Sequence, residues 1–333
     1  MKQPTHCVMA VTLKCNSRCI SCDIWKLKKR EGVEEVAPSF YNNLPPSLID
    51  INITGGEPFL KKDLNEIIAV VKNRCKKARI IVSTNGLLTE TIREETKKIL
   101  EIDGNVAMRV SIEGIGKIHD EIRGIAGGFE KSIDTVNALK EIGVKDLGIG
   151  LTVSERNVSE IGKVYNLANR LGVEFSITVV TSSPIYFGGK DFLKPKNNGN
   201  LKRQFEELIK NELMCWKLKR WARAYYDYTL FEYIKTQKRP LPCDAGESFF
   251  YLDPYGNIYP CDVMNEVFGN LQNDPFEKIW TSPKAVSIRS VARNCDGCWM
   301  VCTAKTPIKK NIHKGALWVM KNRIKTVIGT ELL

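Results

Sequence analysis

The sequence has no run of about 18 or more apolar residues, so we expect no membrane-spanning helix. Its opening stretch, "MKQPTHCVMAVTLKC", holds a short apolar run but no cleavage signature, and reads as a first strand, not a signal peptide. No internal repeat or low-complexity tract is visible. What remains is ordinary globular chain. Its 333 residues and 43% apolar content suffice for one large domain, or a large and a small one, each with its own core. A disulfide scaffold is excluded too, because the eleven cysteines are odd in number and eight of them fall into spaced groups. Such thiols read as metal ligands in a reducing compartment, and we expect a cytoplasmic protein. Cys7, Cys75 and Cys215 stand alone and read as inert buried thiols.

Charge is unevenly placed within a net +12. Residues 190–240 carry 13 Lys/Arg against 6 Asp/Glu, and residues 305–333 carry 7 against 1. The rest of the chain is close to neutral. The two basic segments would suit nucleic acid, anionic lipid or a phosphorylated substrate, or are simply solvated surface.

Six Ile- and Val-rich runs read as strands buried on both faces: 7–13, 48–54, 78–84, 105–112, 146–153 and 173–180. Helical patterns fill the gaps at 63–75, 89–100, 128–142 and 157–171, with Asp63, Thr89 and Asn157 where N-caps belong. Repeated strand–helix units of about 30 residues imply right-handed crossovers and a parallel sheet. The expected fold class is α/β, a partial (β/α)6 TIM-like barrel with a small C-terminal α+β domain, and ligands collect at the C-terminal strand ends of such folds. Residues 182–200 read as a linker or lid loop, followed by one long helix over residues 201–236 whose aromatics are mostly core. "ESFFYLDPYGNIYPCD" reads as a β-hairpin, and "DPFEKIW" and "PKAVSIRSVA" as two short helices. The expected units are a barrel at 1–185, a linker loop and helix at 186–240, a small domain at 241–305 and a basic tail at 306–333.

Cys15, Cys19 and Cys22 lie within eight residues, after the first strand, with no fourth cysteine beside them. Zinc sites usually close a tetrahedron from two separated pairs, and zinc here is the alternative. Three thiolates on a four-iron cluster leave one iron without a protein ligand, free to bind a cofactor. The spacing Cys-x3-Cys-x2-Cys resembles that of the radical S-adenosylmethionine (SAM) enzymes. The "GGEP" stretch at 55–58 follows the second strand and is similar to the family's segment that binds the methionine amine of SAM, which points to Gly55, Gly56, Glu57 and Pro58. "STNG", "SIEG" and "TVSERN" close strands three, four and five. The resemblance implies SAM contacts from Ser83, Asn85, Ser111 and Thr152. It also implies Arg123 as partner of the SAM carboxylate, to which a guanidinium fork is suited. The sequence departs from the family before its third cysteine, where an aromatic residue is usual. Here Ser21 stands in that place, and Trp25 is the candidate to cover the adenine.

A second group begins at Cys243. Twelve residues separate it from Gly256, four more precede Cys261, and "CDGCWMVC" adds Cys295, Cys298 and Cys302. Thiols at a hairpin base plus a CxxC signal metal, with zinc again the alternative. The spacing resembles the C-terminal SPASM or Twitch domain of radical SAM enzymes. It implies a second, auxiliary 4Fe-4S cluster on Cys243, Cys261, Cys295 and Cys298, with Cys302 as the alternative fourth ligand. In sulfatase-maturing relatives an Asp at the place of Asp262 deprotonates substrate, so Asp262 is the candidate catalytic base.

The resemblance implies an electron from a reduced ferredoxin- or flavodoxin-type donor, reductive cleavage of SAM to a 5′-deoxyadenosyl radical, and hydrogen abstraction from an unactivated C–H. The expected outcome is net oxidation or crosslinking of a peptide, sugar-like or lipid-linked substrate. No peptide-binding module precedes residue 7, so a leader peptide would need a separate partner. The alternatives are an RNA-acting radical SAM enzyme, which the basic segment at 190–240 would favour, and a non-catalytic zinc-binding protein. We expect a peptide or small molecule in preference to nucleic acid. The tail "IHKGALWVMKNRIKTVIG" would be a basic amphipathic helix, either packed on its own domain or in peripheral contact with a membrane.

Overall fold

The computed structural model describes residues 2–27 and 34–333. Strand β1 (His6–Ala10) is buried along its whole length and is followed by the first cysteine loop. Four strand–helix units follow: β2 (Asp50–Thr54) with α1 (Leu64–Arg74), β3 (Arg79–Thr84) with α2 (Thr89–Ile102), β4 (Ala107–Ser111) with α3 (Lys117–Arg123) and α4 (Gly128–Glu141), and β5 (Asp146–Val153) with α5 (Ile161–Leu171). Strand β6 (Glu174–Val179) closes the series. All six strands run parallel, and β1 and β6 are not paired with each other, so the barrel is partial. Each helix lays a stripe such as Ile67, Ile68 and Val71 on Ile51, Ile53, Ile80 and Val82 of the sheet.

The expected strands all form, each within two or three residues of its expected ends at most. The N-caps do not act as expected: the Asp63 side chain makes no cap bond, and Thr89 is the first helical residue. Asn157 turns into the barrel, where its side chain bonds Ser154, Thr152 and the Glu113 carbonyl. The long helix expected over 201–236 is two, α6 (Gly199–Met214) and α7 (Leu218–Thr236), broken by an extended Cys215 whose carbonyl accepts from Trp221 Nε1. Folding back as a hairpin buries Phe205 against Phe231, which a straight helix would leave apart.

Residues 182–198 form a packed loop. Tyr186 is buried in it, and Lys190, also buried, pairs with Asp23 at 2.9 Å. Strands β7 (Phe249–Leu252) and β8 (Asn257–Tyr259) make the hairpin, joined by the short β9 (Gly269–Asn270). Strand β7 pairs in parallel with β1, so the C-terminal hairpin extends the barrel sheet to nine strands in the order β6-β5-β4-β3-β2-β1-β7-β8-β9. Helices α8 (Phe276–Thr281), α9 (Pro283–Arg293), α10 (Val301–Lys310) and α11 (Ile312–Val327) complete the chain. The boundary expected at 305 falls inside α10. Among the described residues, no helix is long and apolar enough to cross a membrane.

Charged residues line the N-terminal strand ends, opposite the ligand side. Asp146 accepts from Arg109 at 2.7 Å and from Arg79, and Arg79 and Lys305 also reach Asp50. Burial pushes the Asp146 carboxyl up, but the Arg109 and Arg79 guanidiniums outweigh it and hold the group at about 2, against an ordinary 3.8. A depressed carboxylate stabilises the fold above its unfolded pKa, and that contribution disappears as pH falls through the folded one. Asp146→Asn is therefore expected to cost about 2 kcal/mol in urea unfolding at pH 7. The gap to wild type should close between pH 4 and pH 2, and a gap that persisted unchanged at pH 2 would rule this origin out.

Candidate functional site

At the C-terminal ends of the barrel strands lies a cavity of about 190 Å3. Hydroxyl residues from five strands build its walls: Thr54 on β2, Ser83 and Thr84 on β3, Ser111 on β4, Thr152 on β5 and Thr178 on β6. Cys15, Cys19 and Cys22 all line it, as do Ser21 and Trp25. The sequence argument had singled out Ser83, Ser111 and Thr152. It missed Thr54, Thr84 and Thr178, whose signal was a Thr at the last or last-but-one position of a strand.

The cysteine loop is held on both sides by backbone. Gly56 N–H donates to Thr12 O at 2.8 Å, and Glu57 N–H to Lys14 O at 2.7 Å. A Cβ on Gly55 would stand 2.3 Å from Thr12 O, and one on Gly56 2.0 Å from Lys14 O. These two glycines therefore serve the close approach of two chain segments as well as lining the cavity. On the other side, Arg18 N–H and Ile20 N–H donate to the carbonyls of Arg123 and Ile122 at the end of α3, satisfying groups that a helix terminus leaves open.

Glu57 and Pro58 do not line the cavity. The Glu57 side chain is fully buried behind its wall. Its carboxylate accepts from the Thr84 hydroxyl at 2.8 Å, from Asn85 N–H at 2.7 Å and from Phe59 N–H at 3.3 Å. Burial raises the group to about 7 in spite of those donors. Asn85 does line the cavity, and its side chain donates to Asn16 Oδ1 in the cysteine loop at 2.7 Å. Arg123 lines the cavity already engaged: it pairs with Glu113 at 3.0 Å, and its Nη1 lies 3.4 Å from Cys19 Sγ. Burial raises the Glu113 carboxyl, and Arg123 opposes it. Glu113 also accepts from Thr152 N–H at 2.8 Å, so this carboxylate, which the sequence argument passed over, ties β4 to β5 at the cavity wall. Trp25 reaches the site with its Nε1 3.4 Å from Cys19 O.

Hydrogen bonds to sulfur separate the grouped cysteines from the solitary ones. Backbone N–H groups reach Cys22 from Ile24 at 3.5 Å, Cys243 from Ala245 at 3.4 Å, Cys261 from Met264 at 3.4 Å and Cys295 from Gly297 at 3.3 Å. Ser17 and Thr303 amides serve Cys15 and Cys302. Cys19 has Ser17 Oγ and Arg123 beside it, and Cys298 has Thr303 Oγ1 and Arg239. Among the described residues, Cys7, Cys75 and Cys215 receive no such donor; Cys75 instead donates to Pro45 O. Donors aimed at sulfur favour thiolate and tune iron–sulfur ligands. Burial pulls the other way, raising Cys15 to about 11 and both Cys22 and Cys298 to about 12.

No three His, Cys, Asp or Glu side chains among the described residues converge on a point fit for one ion. Zinc requires such a point, with thiolates about 2.3 Å from it. An iron–sulfur cluster spreads its ligands over several irons. The all-sulfur donor set fits such a cluster. None of the second group's thiols lines the cavity, but Met300, between Cys298 and Cys302, does. Asp262 is buried, its Oδ1 has no partner among the described residues, and burial lifts its carboxyl to about 6. It stands outside the cavity lining. Tyr186 does line the cavity. Its hydroxyl donates to Gly55 O, and the charges of Cys22 and Asp262 add to burial in raising its pKa.

Two family models match the chain: the Radical SAM superfamily over residues 9–168, and SPASM, an iron-sulfur cluster-binding domain, over residues 243–299. The first implies a 4Fe-4S cluster with SAM and the second auxiliary iron–sulfur clusters. The chain is 26% identical over 293 residues to the antilisterial bacteriocin subtilosin biosynthesis protein AlbA of Bacillus subtilis, covering 84% of this chain but only 60% of that protein. It is 24% identical over 326 residues to the sporulation killing factor maturation protein SkfB of the same species, covering 94% and 74%. It is 27% identical over 292 residues to an AdoMet-dependent heme synthase of Methanosarcina barkeri, covering 81% and 80%. The structure of anSMEcpe with bound AdoMet and Cp18Cys peptide superposes with a TM-score of 0.60 at 19% identity, over 85% of this chain and 82% of that one. That likeness shows the fold.

The placement of Glu57 yields an expected outcome. Glu57→Ala leaves the Thr84 hydroxyl and the Asn85 amide buried without an acceptor, and should destabilise the metal-free protein by about 2–3 kcal/mol. Thermal or urea unfolding of the apoprotein checks this. Unchanged apoprotein stability with lost SAM affinity would instead make Glu57 a direct ligand.

Proposed function

Because the chain belongs to the radical SAM superfamily and carries a SPASM domain, we propose that it oxidises a peptide at an unactivated C–H bond. The observation that carries this reading is the shared cavity: three thiols on one wall, a ring of strand-end hydroxyls around it, and Met300 of the second thiol group at its edge. Two relatives are named for bacteriocin biosynthesis and for maturation of a killing factor, and a structural neighbour was solved with a peptide, which supports the substrate class.

Cys15, Cys19 and Cys22 would hold the SAM-binding cluster. Cys243, Cys261 and Cys295 would hold the auxiliary one, with Cys298 as fourth ligand and Cys302 as its alternative. When bound, these groups supply reductive cleavage of SAM, hydrogen-atom abstraction and a second electron acceptor, fed by a reduced ferredoxin- or flavodoxin-type donor. The chain itself binds and orients. The backbone at Gly55 and Gly56 and the polar groups of Ser83, Asn85, Ser111 and Thr152 surround the cofactor, and Trp25 offers an apolar face for its base. Arg123, fixed by Glu113, presents positive charge to a carboxylate. Tyr186, Phe187 and Met300 keep water from the reacting carbon. For Asp262 to act as the base, substrate would have to extend past Tyr186 toward the second thiol group.

Anaerobic reconstitution should give about eight irons per chain, and Cys15→Ala/Cys19→Ala/Cys22→Ala about four. In the same assay, either Cys298→Ser or Cys302→Ser, but not both, should lose the auxiliary cluster. Reduced wild-type protein given SAM and candidate peptides should release 5′-deoxyadenosine and a peptide lighter by about two mass units, one hydrogen going to the nucleoside and the other leaving as a proton and an electron. Mass loss from a tetrapyrrole or sugar, with peptides untouched, would overturn the peptide assignment but leave the family chemistry intact.

A further inference from the structure

Helix α11 has two apolar faces, and only one is used. Gly315, Val319 and Asn322 are buried, Gly315 against Tyr225, while Trp318 stacks on Tyr228 at 4.7 Å. At 100° per residue, Leu317, Met320, Ile324 and Val327 fall within about 80° of one another on the opposite side. These four are 59–72% exposed. Trp216, 82% exposed, extends the patch at the turn between α6 and α7, and Arg323 bridges the two by lying 4.0 Å from the Trp216 ring. Contiguous exposed apolar surface of this kind marks an interaction site.

Charge identifies the occupant. Lys314, Lys321 and Lys325 run along one flank of the stripe, and none has a carboxylate partner among the described residues. Residues 301–330 contain no Asp or Glu at all. We propose that α11 and the α6–α7 turn dock on an anionic lipid bilayer, the helix lying in the membrane plane. Its apolar stripe would enter the acyl boundary, its lysines would meet headgroup phosphates, and Trp216 would sit at headgroup level. A second copy of this chain fits poorly, because a two-fold contact would set each lysine row against the same positive surface.

The test uses the full-length, cluster-loaded protein and co-sedimentation with extruded vesicles, either phosphatidylcholine alone or mixed equally with phosphatidylglycerol. The expected result is binding to the anionic vesicles that weakens with salt and is at least about tenfold weaker on phosphatidylcholine. Leu317→Asp/Ile324→Asp should also bind the anionic vesicles at least about tenfold more weakly, with iron content and melting temperature unchanged. Lys321→Glu/Lys325→Glu, which leaves the apolar stripe intact, should lose the preference for anionic lipid. No vesicle binding by wild type, or undiminished binding by the Leu317→Asp/Ile324→Asp variant, would overturn the proposal. So would a wild-type dimer in sedimentation velocity that the same variant dissociates, since that result assigns the face to a second copy.

Discussion

The site depends on a backbone-to-backbone contact with no room for a side chain. The loop after β2 presses its peptide edge onto residues 12–14 through two hydrogen bonds, and any Cβ at Gly55 or Gly56 would collide with a carbonyl oxygen. Everything local follows from that contact. It sets the start of the cysteine loop, Glu57 is turned behind the wall by it, and the buried Glu57 carboxylate in turn holds the end of β3 through Thr84 and Asn85. Asn85 then reaches back to Asn16 and closes the circuit on the cysteine loop. A chain of short polar contacts thus links strands one, two and three around the loop that carries the three thiols.

Much of this could be read from residue order. Ile- and Val-rich runs at regular spacing announced the six parallel strands, although β2, β3 and β6 alternate buried and half-buried residues and are not buried on both faces. The cysteine spacings announced both thiol groups, because ligand chemistry constrains local sequence. What stayed hidden were orientations and distant pairings. "GGEP" names a glutamate near a ligand, but only packing shows its carboxylate buried behind the lining residues Thr84 and Asn85. The break between α6 and α7 carries no Gly or Pro, and is imposed by aromatic burial between the two halves of the hairpin. Thr54 and Thr178 look like ordinary strand residues until the fold brings them to the same cavity as Ser83, Ser111 and Thr152. The pairing of β7 with β1 joins segments more than two hundred residues apart, which no local pattern encodes.

The donors to sulfur offer a physical way to tell working thiols from inert ones. Every grouped cysteine is met by an amide, a hydroxyl or a guanidinium, whereas Cys7 and Cys75 are buried among apolar neighbours without one. The turns that follow Cys22, Cys243, Cys261 and Cys295 point their amides back at sulfur. They therefore bias the side chain toward a metal-ready direction before any metal arrives.

The shared sheet has a consequence for how the molecule is divided. β1 is flanked by β2 on one side and β7 on the other, so the two halves are not beads on a string. A protein truncated ahead of residue 249 would leave β1 with a bare, largely apolar margin, a template for stray strands from other molecules. Inheritance of the catalytic half without its C-terminal companion would therefore demand a replacement strand or a redesigned border.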